Sequence, residues 1–328
     1  MCSSAAAAGI HFEPVKEAIH YRDARFTPEG QCVGIACLGV VDRNTVLIGD
    51  WTGRIRSFNL DELNTTCEVE LRNGSVGHGQ VTALSIEPVE RKICVAATRT
   101  LSCAVWAIGD TKYDLLESNE STAINSVAYS SDGRWLALGL GSYPLSGIEI
   151  HAGLELWSVS DGLPSRRVDY VALPGCCVDS IAWSSNEWDL ACTTGLQSQK
   201  AGFLVRLERD HLRLVSFEEL PRPFCQAAYS ERYSADSVVV LNRKTLDSYS
   251  CGGGWNWSVE APGNLDMAVN SERREIGLTD GSIRRASDGK AVGGISPLKG
   301  CSGIAVRPGG GYVGVSEAGV IRVWNERI

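Results

Sequence analysis

The chain has 328 residues, of which 44% are hydrophobic and 21% charged, and its net charge at pH 7 is −8. This length exceeds the roughly 250–300 residues at which one core stops growing, so the sequence predicts two domains or one repeat architecture. The negative charge argues against general nucleic-acid binding, whose affinity comes mainly from Lys and Arg. No apolar stretch approaches the ~18 residues that indicate a membrane helix, so we expect no membrane association.

A secretory signal begins with basic residues that are followed by a long apolar run. The first ten residues, MCSSAAAAGI, have neither, so this segment does not resemble a secretory signal. We interpret residues 1–9 as a flexible tail and expect a single repeat domain over residues 10–328.

The twelve cysteines are scattered along the chain, many of them inside apolar runs. A thiol in such a run behaves as a small buried hydrophobe. There is no CxxC pair and the five histidines lie far apart, so the usual zinc spacings are absent. These observations predict a reducing, cytoplasmic or nuclear location, with no metal and no cofactor.

One segment after another repeats the same pattern. In the segment INSVAYSSDGRWLALGLG, a run of alternating apolar residues is followed by a turn at Asp132-Gly133 and then by a second apolar run, which is typical of a β-hairpin. The segment GLELWSVSDG then supplies a third strand. Similar runs indicate first strands that begin near Cys32, Val81, Ile124, Val178, Cys225, Leu265 and Cys301. Their spacing of roughly 36 to 54 residues is typical of propeller blades. The sixth copy, GSIRRASDGKAVGG, is short and has no aromatic anchor, which leaves its regularity open.

Three kinds of residue carry a family resemblance: the Gly77-His78 pair before a first strand, the hairpin turns, and tryptophans near the ends of third strands (Trp106, Trp157 and Trp324). With these marks the chain resembles WD-repeat (WD40) β-propellers. The resemblance implies an all-β fold, a single seven-bladed propeller, in which the three tryptophans are buried anchors.

In that family, one His, one Ser, one Asp and one Trp form a hydrogen-bond network. In this chain the corresponding residues would be His78, Thr98, Thr100 and Trp106, so Thr replaces both the Ser and the Asp. No unit completes the set, so we expect apolar packing to hold the blades together. We interpret His78 as a residue that orients a turn.

The resemblance also implies how the chain ends meet. The last unit stops at its third strand, VIRVWNE, so its fourth strand must come from elsewhere. Residues 10–26 have enough alternating apolar character to supply it. We therefore expect the N-terminal segment to complete the C-terminal blade and close the ring.

No catalytic motif was found. The sequence contains no GxSxG elbow, HExxH helix or P-loop, and no two acidic residues can be paired as general acid and base. We expect a protein that is not an enzyme.

Recognition residues collect on loops of a rigid scaffold, and in this family the turns between second and third strands line one narrow face. The candidate partner-binding residues there are Trp51, Arg99, Tyr143, His151, Lys200, Arg243 and Lys244. Trp51 either projects as an interface anchor or folds back onto its own blade. The basic residues are either separate solvated charges or a positive crescent suited to an acidic or phosphorylated peptide.

Trp255 and Trp257 alternate with polar residues in GGGWNWSVE, so both are expected to face the same side of an outer strand. They either pack against the next blade or form a lateral docking patch.

The sequence favours a scaffold or adaptor subunit that binds proteins or peptides. A reader of acidic or modified peptides at the channel mouth and a propeller enzyme are the alternatives.

Overall fold

The computed structural model describes most of the chain. The described residues are 10–19, 35–62, 64–71, 80–98, 100–118, 120, 122–141, 152–173, 177–184, 189–194, 202–208, 211–216, 224–230, 237–242, 244–250, 254–263, 266–295, 301–316 and 320–326. Within these ranges the regular structure consists of 28 strands, so the predicted all-β class is confirmed.

The strands form five four-stranded sheets and one eight-stranded sheet. The eight-stranded sheet has the order β22-β23-β24-β25-β1-β28-β27-β26, so it consists of two four-stranded halves that meet where β25 pairs with β1. We number the resulting groups of four strands as units 1 to 7. Neighbouring strands within each unit pair antiparallel, including β28 with β1, which come from opposite ends of the chain.

The first four units follow one another along the chain. Unit 1 contains β2 (Ile35–Val40), β3 (Thr45–Asp50), β4 (Arg54–Asn59) and β5 (Asn64–Glu70). Unit 2 contains β6 (Ala83–Ile86), β7 (Ile93–Ala97), β8 (Ser102–Ala107) and β9 (Asp114–Glu117). Unit 3 contains β10 (Ile124–Tyr129), β11 (Trp135–Leu140), β12 (Ala152–Ser160) and β13 (Leu163–Leu173). Unit 4 contains β14 (Val178–Trp183), β15 (Asp189–Thr194), β16 (Gly202–Glu208) and β17 (His211–Ser216).

The last three units include the N-terminal strand. Unit 5 contains β18 (Phe224–Ser230), β19 (Ser237–Asn242), β20 (Thr245–Ser250) and β21 (Trp255–Glu260). Unit 6 contains β22 (Met267–Asn270), β23 (Glu275–Leu278), β24 (Ser282–Arg285) and β25 (Ala291–Ile295). Unit 7 contains β26 (Cys301–Val306), β27 (Tyr312–Ser316), β28 (Val320–Glu326) and β1 (Ile10–Ile19).

The seven first strands begin within three residues of the positions that the repeat pattern predicts. Unit 6, whose regularity the sequence left open, has four ordered strands of four or five residues each. Short strands are sufficient there because β25 gains a further neighbour, β1, on its outer edge.

First strands of successive units contact one another, and the cycle of contacts returns to its start. The contacting pairs are β2 with β6, β6 with β10, β10 with β14, β14 with β18, β18 with β22, β22 with β26, and β26 with β2. Side chains reinforce several of these junctions: Thr82 Oγ1 donates a hydrogen bond to the carbonyl of Asn125 at 2.7 Å. Ser126 Oγ likewise donates to the carbonyl of Val178 at 2.9 Å.

The N-terminal strand pairs with both end units. β1 runs antiparallel to β28, from Phe12 opposite Glu326 to Ile19 opposite Val320, and its first residues run parallel to β25. The expected pairing of the two chain ends is therefore present over Ile10–Ile19, whereas residues 20–26 lie outside the described part of the chain. β1 covers the edges of β25 and β28 where it pairs with them, so those edges are not open for pairing with another chain.

Apolar side chains fill the spaces between units. Between units 1 and 2, Leu47 and Ile55 lie in one buried cluster with Cys94 and Trp106. Of the expected tryptophan anchors, Trp106 and Trp324 are fully buried, while Trp157 is only half-buried. Burial of this kind contributes about 25 cal/mol for each Å² of apolar surface removed from water, which makes these interfaces the main source of stability.

Candidate binding surface formed by the turns between second and third strands

The turns that join second to third strands lie beside the starts of the following first strands. The N–H of Val81, directly before β6, donates to the carbonyl of Asp50 in the β3–β4 turn at 3.0 Å. The N–H of Ile124 in β10 donates to the carbonyl of Thr100 in the β7–β8 turn at 2.8 Å. We call the end of the molecule formed by these turns and strand starts the turn face.

Trp51 occupies the tip of the β3–β4 turn, and 51% of its surface is exposed. The buried Asp50 fixes this turn, since its Oδ1 accepts hydrogen bonds from the Thr52 N–H at 2.8 Å and the Arg54 N–H at 3.1 Å. Gly53 completes the turn with φ +82°, a conformation that few other residues adopt readily. About half of the Trp51 surface is therefore accessible to solvent at an ordered turn.

Leu101 is a second exposed apolar side chain on the turn face, with 55% of its surface accessible. Its backbone is fixed on both sides: the carbonyl of Leu101 accepts from the Ser118 N–H at 3.0 Å, and Thr100 Oγ1 donates to the carbonyl of Ser102 at 2.9 Å. Leu101 is not among the binding residues predicted from the sequence, all of which are aromatic or basic. An apolar residue between two hydroxyl residues at a turn was the available signal.

The other predicted binding residues are mostly outside the described part of the chain. Lys244 is described and exposed, in the turn between β19 and β20. The residues that lie outside the described ranges are Arg99, Tyr143, His151, Lys200 and Arg243. The positive crescent therefore stays a prediction.

Of the four residues expected to form one hydrogen-bond network, two are bonded to each other among the described residues. Thr98 Oγ1 and Thr100 Oγ1 lie 2.9 Å apart and share a hydrogen bond. The indole N–H of Trp106 instead donates to the carbonyl of Asp110 at 2.8 Å, and so its single hydrogen is not available to the threonines. His78, the remaining member, lies outside the described residues.

Trp255 and Trp257 do not face the same side of β21, so this prediction was wrong. Trp257 lies opposite Ser248 and Trp255 opposite Tyr249, with a β-bulge between the two pairs. Because adjacent residues of β20 point to opposite faces, the two tryptophans do so as well. Trp257 is buried against the β24–β25 turn, whereas 64% of Trp255 is exposed.

Buried thiols do not supply reactive groups to the described surface. Burial raises the pKa of Cys94, Cys103 and Cys192 to about 12 in each case. At neutral pH these side chains are therefore protonated, and the thiolate is the nucleophilic form. Among the described residues, no group of three or more His, Cys, Asp or Glu is arranged to hold a metal ion.

In comparisons with known proteins, no family model and no curated protein matches this chain. Within the described ranges, no helix has the length and apolar character required to cross a membrane.

Proposed function

We propose that the chain is a seven-bladed β-propeller similar to WD-repeat proteins, with each unit as one blade. Three observations support this fold: seven groups of four antiparallel strands, a closed cycle of contacts between first strands, and an N-terminal strand within the last group. A ring of this kind protects its strand edges without forming a closed barrel.

The propeller acts as a non-catalytic scaffold or adaptor subunit and binds a protein or peptide partner through the turn face. The observation that carries this proposal is the exposure of two large apolar side chains, Trp51 and Leu101, on turns held by hydrogen bonds. Exposed Trp is a frequent interface anchor. Because the turns are already ordered, they lose less conformational entropy on binding a partner than a flexible loop would.

A reducing compartment, cytoplasmic or nuclear, is part of the same proposal. The described cysteines that carry free thiols are Cys37, Cys67, Cys94, Cys103, Cys177, Cys192 and Cys301. Reducing conditions keep thiols in this state, whereas oxidising ones favour disulfides.

The scaffold proposal can be tested by affinity purification from the native cell followed by quantitative mass spectrometry. We expect a stoichiometric protein partner to be recovered with the wild-type chain and reduced at least fivefold by the double change Trp51→Ser and Leu101→Ser, since removing a hot-spot residue costs about 1–2 kcal/mol or more. Both side chains are already exposed, so the folded state should tolerate the changes.

Trp255→Ser is the matched control, because it removes another exposed tryptophan, at the start of an outer strand away from the turn face. It should leave partner recovery unchanged. If both variants reduced recovery equally, or if the turn-face variant bound like the wild type, the turn face would not be the binding surface.

A further inference from the structure

A cleft of about 340 Å³ lies between units 2 and 3, at the end of the molecule opposite the turn face. Three turns form its walls: β6–β7, β10–β11 and β12–β13. This volume is at the lower end of the ~300–1,000 Å³ found for ligand pockets. The cleft is therefore suited to one or two side chains rather than to a large cofactor.

The floor of the cleft is rigid. Glu87 is buried, and its carboxylate accepts hydrogen bonds from the Val89 N–H at 2.7 Å and the Glu90 N–H at 2.8 Å. A Cβ at Gly133 would lie 2.9 Å from Glu87 Oε1, and one at Gly162 would lie 3.4 Å from Glu87 Cγ. The two glycines, with φ +72° and +77°, let the turns of unit 3 close around this carboxylate.

Apolar side chains surround the floor. Ile93 and Val159 line the cleft. Val89 also lines it and has 68% of its surface exposed, and Leu163, directly after a lining glycine, is 46% exposed. A partner that covers this region would thus remove apolar surface from water, which favours binding.

The basic groups of the cleft are neutralised by neighbours. Lys92 Nζ lies 2.9 Å from Glu90 Oε2, and Arg134 forms an ion pair with Asp132. The cleft's two cations therefore have carboxylate partners of their own.

Among the described residues, two carboxylates of the cleft have no cation partner. Within that part of the chain, Glu87 accepts hydrogen bonds from backbone N–H groups, and Asp161 has one weak contact, from Ser160 Oγ at 3.5 Å. Both residues line the cleft, and Asp161 is exposed whereas Glu87 is buried. The charge that the described neighbours leave uncompensated in the cleft is therefore negative.

We propose that this cleft binds a basic side chain from a linear segment of a partner protein, with a neighbouring apolar residue of that segment covering Val89 and Leu163. The aliphatic stem of a Lys or Arg lies along Ile93 and Val159, while its charged end pairs with Asp161. The proposal does not depend on the function of the turn face, because the two surfaces lie at opposite ends of the molecule.

Fluorescence anisotropy provides the test, with a fluorescein-labelled peptide that alternates leucine and arginine as the probe. The wild-type chain should bind it with an affinity that falls as salt is raised, because the contact is electrostatic. Asp161→Asn should weaken binding about fivefold or more, the expected effect of removing one charge–charge contact. Asn is well suited to this position because it tolerates the positive φ of Asp161, +52°.

Asp288→Asn is the matched control, since Asp288-Gly289 forms the corresponding turn in unit 6 and its carboxylate is ion-paired with Arg285. This variant should bind the probe like the wild type. A probe with glutamine in place of arginine should bind much more weakly. The proposal is overturned if the wild-type chain does not bind the arginine probe, if the glutamine probe binds equally well, or if Asp161→Asn and Asp288→Asn have the same effect.

The location of the bound probe can be checked independently by methyl NMR. Shift changes should concentrate on Val89, Ile93 and Val159. Changes confined to other methyl groups would contradict the proposal, even if the probe bound. The double change at Trp51 and Leu101 should leave probe binding intact, which separates failure of this inference from failure of the turn-face proposal.

Discussion

At the residue scale, two arginines, the buried Arg307 and the exposed Arg91, join neighbouring units through backbone carbonyls. Arg307 of unit 7 donates from Nε at 3.0 Å and from Nη2 at 2.8 Å to the carbonyl of Arg43 in unit 1. Arg91 of unit 2 donates to the carbonyl of Val41 in the same turn of unit 1 at 2.9 Å. The first turn of unit 1 is thus held from both sides. Burial and the nearby Arg43 charge lower the pKa of Arg307 from its ordinary value.

We predict that Arg307→Met lowers the free energy of unfolding by about 2 kcal/mol, because a hydrogen-bonded charged group is lost and the Arg43 carbonyl loses its donors. Urea denaturation monitored by tryptophan fluorescence measures the change. Arg285→Met is the control: Arg285 is exposed and forms a surface ion pair with Asp288, so its loss should cost less than about 0.5 kcal/mol. Equal effects of the two variants would show that Arg307 does not join the end units.

Residue-level features were the least predictable from sequence. The partner of Arg307 lies 264 residues away, and no local pattern identifies it. The opposite orientations of Trp255 and Trp257 result from a β-bulge, which the alternation of polar and apolar residues does not reveal. By contrast, the burial of Trp106 and Trp324 was predictable, since a large aromatic side chain at the end of a third strand has an apolar interface within reach.

At the element scale, the positions of the strands followed closely from the sequence. Alternating apolar residues and turn signals such as Asp132-Gly133 are local, so they indicate each hairpin without knowledge of the remainder of the fold. The identity of the fourth strand of unit 7 is different, because it depends on a pairing between distant segments. The family resemblance, rather than periodicity alone, suggested that β1 would fill this position.

We predict that the paired change Glu17→Cys and Arg322→Cys forms an intramolecular disulfide under mild oxidation. These two residues are directly opposite each other in the β1–β28 pairing, and opposing Cβ atoms in antiparallel strands lie within about 5.5 Å. Peptide mass spectrometry after proteolysis identifies the bond among the native thiols.

Lys16→Cys combined with Arg322→Cys is the control, because Lys16 lies opposite Val323 rather than Arg322 in the β1–β28 register. This second pair should cross-link much less. Equal cross-linking of both pairs would indicate a mobile N-terminal segment rather than a strand in fixed register.

At the scale of the whole molecule, the proposed ring explains why the two faces can have separate roles. Each unit contributes turns to both ends, and the contacts between first strands keep the units in a fixed order. The sequence indicated the repeat number and the all-β class. It could not locate the cleft between units 2 and 3, because its walls come from turns of two units that only packing brings together.

We propose that the seven units form one ring closed by β1. Hydrogen–deuterium exchange measured by mass spectrometry tests this proposal most directly, because hydrogen-bonded backbone amides of a strand exchange only on local opening. Peptides from Ile10–Ile19 should retain slowly exchanging amides at the positions that pair with β28 and β25, as peptides from the interior strand Tyr312–Ser316 of the same unit do. Complete exchange of Ile10–Ile19 within seconds, while Tyr312–Ser316 stays protected, would contradict the closed ring.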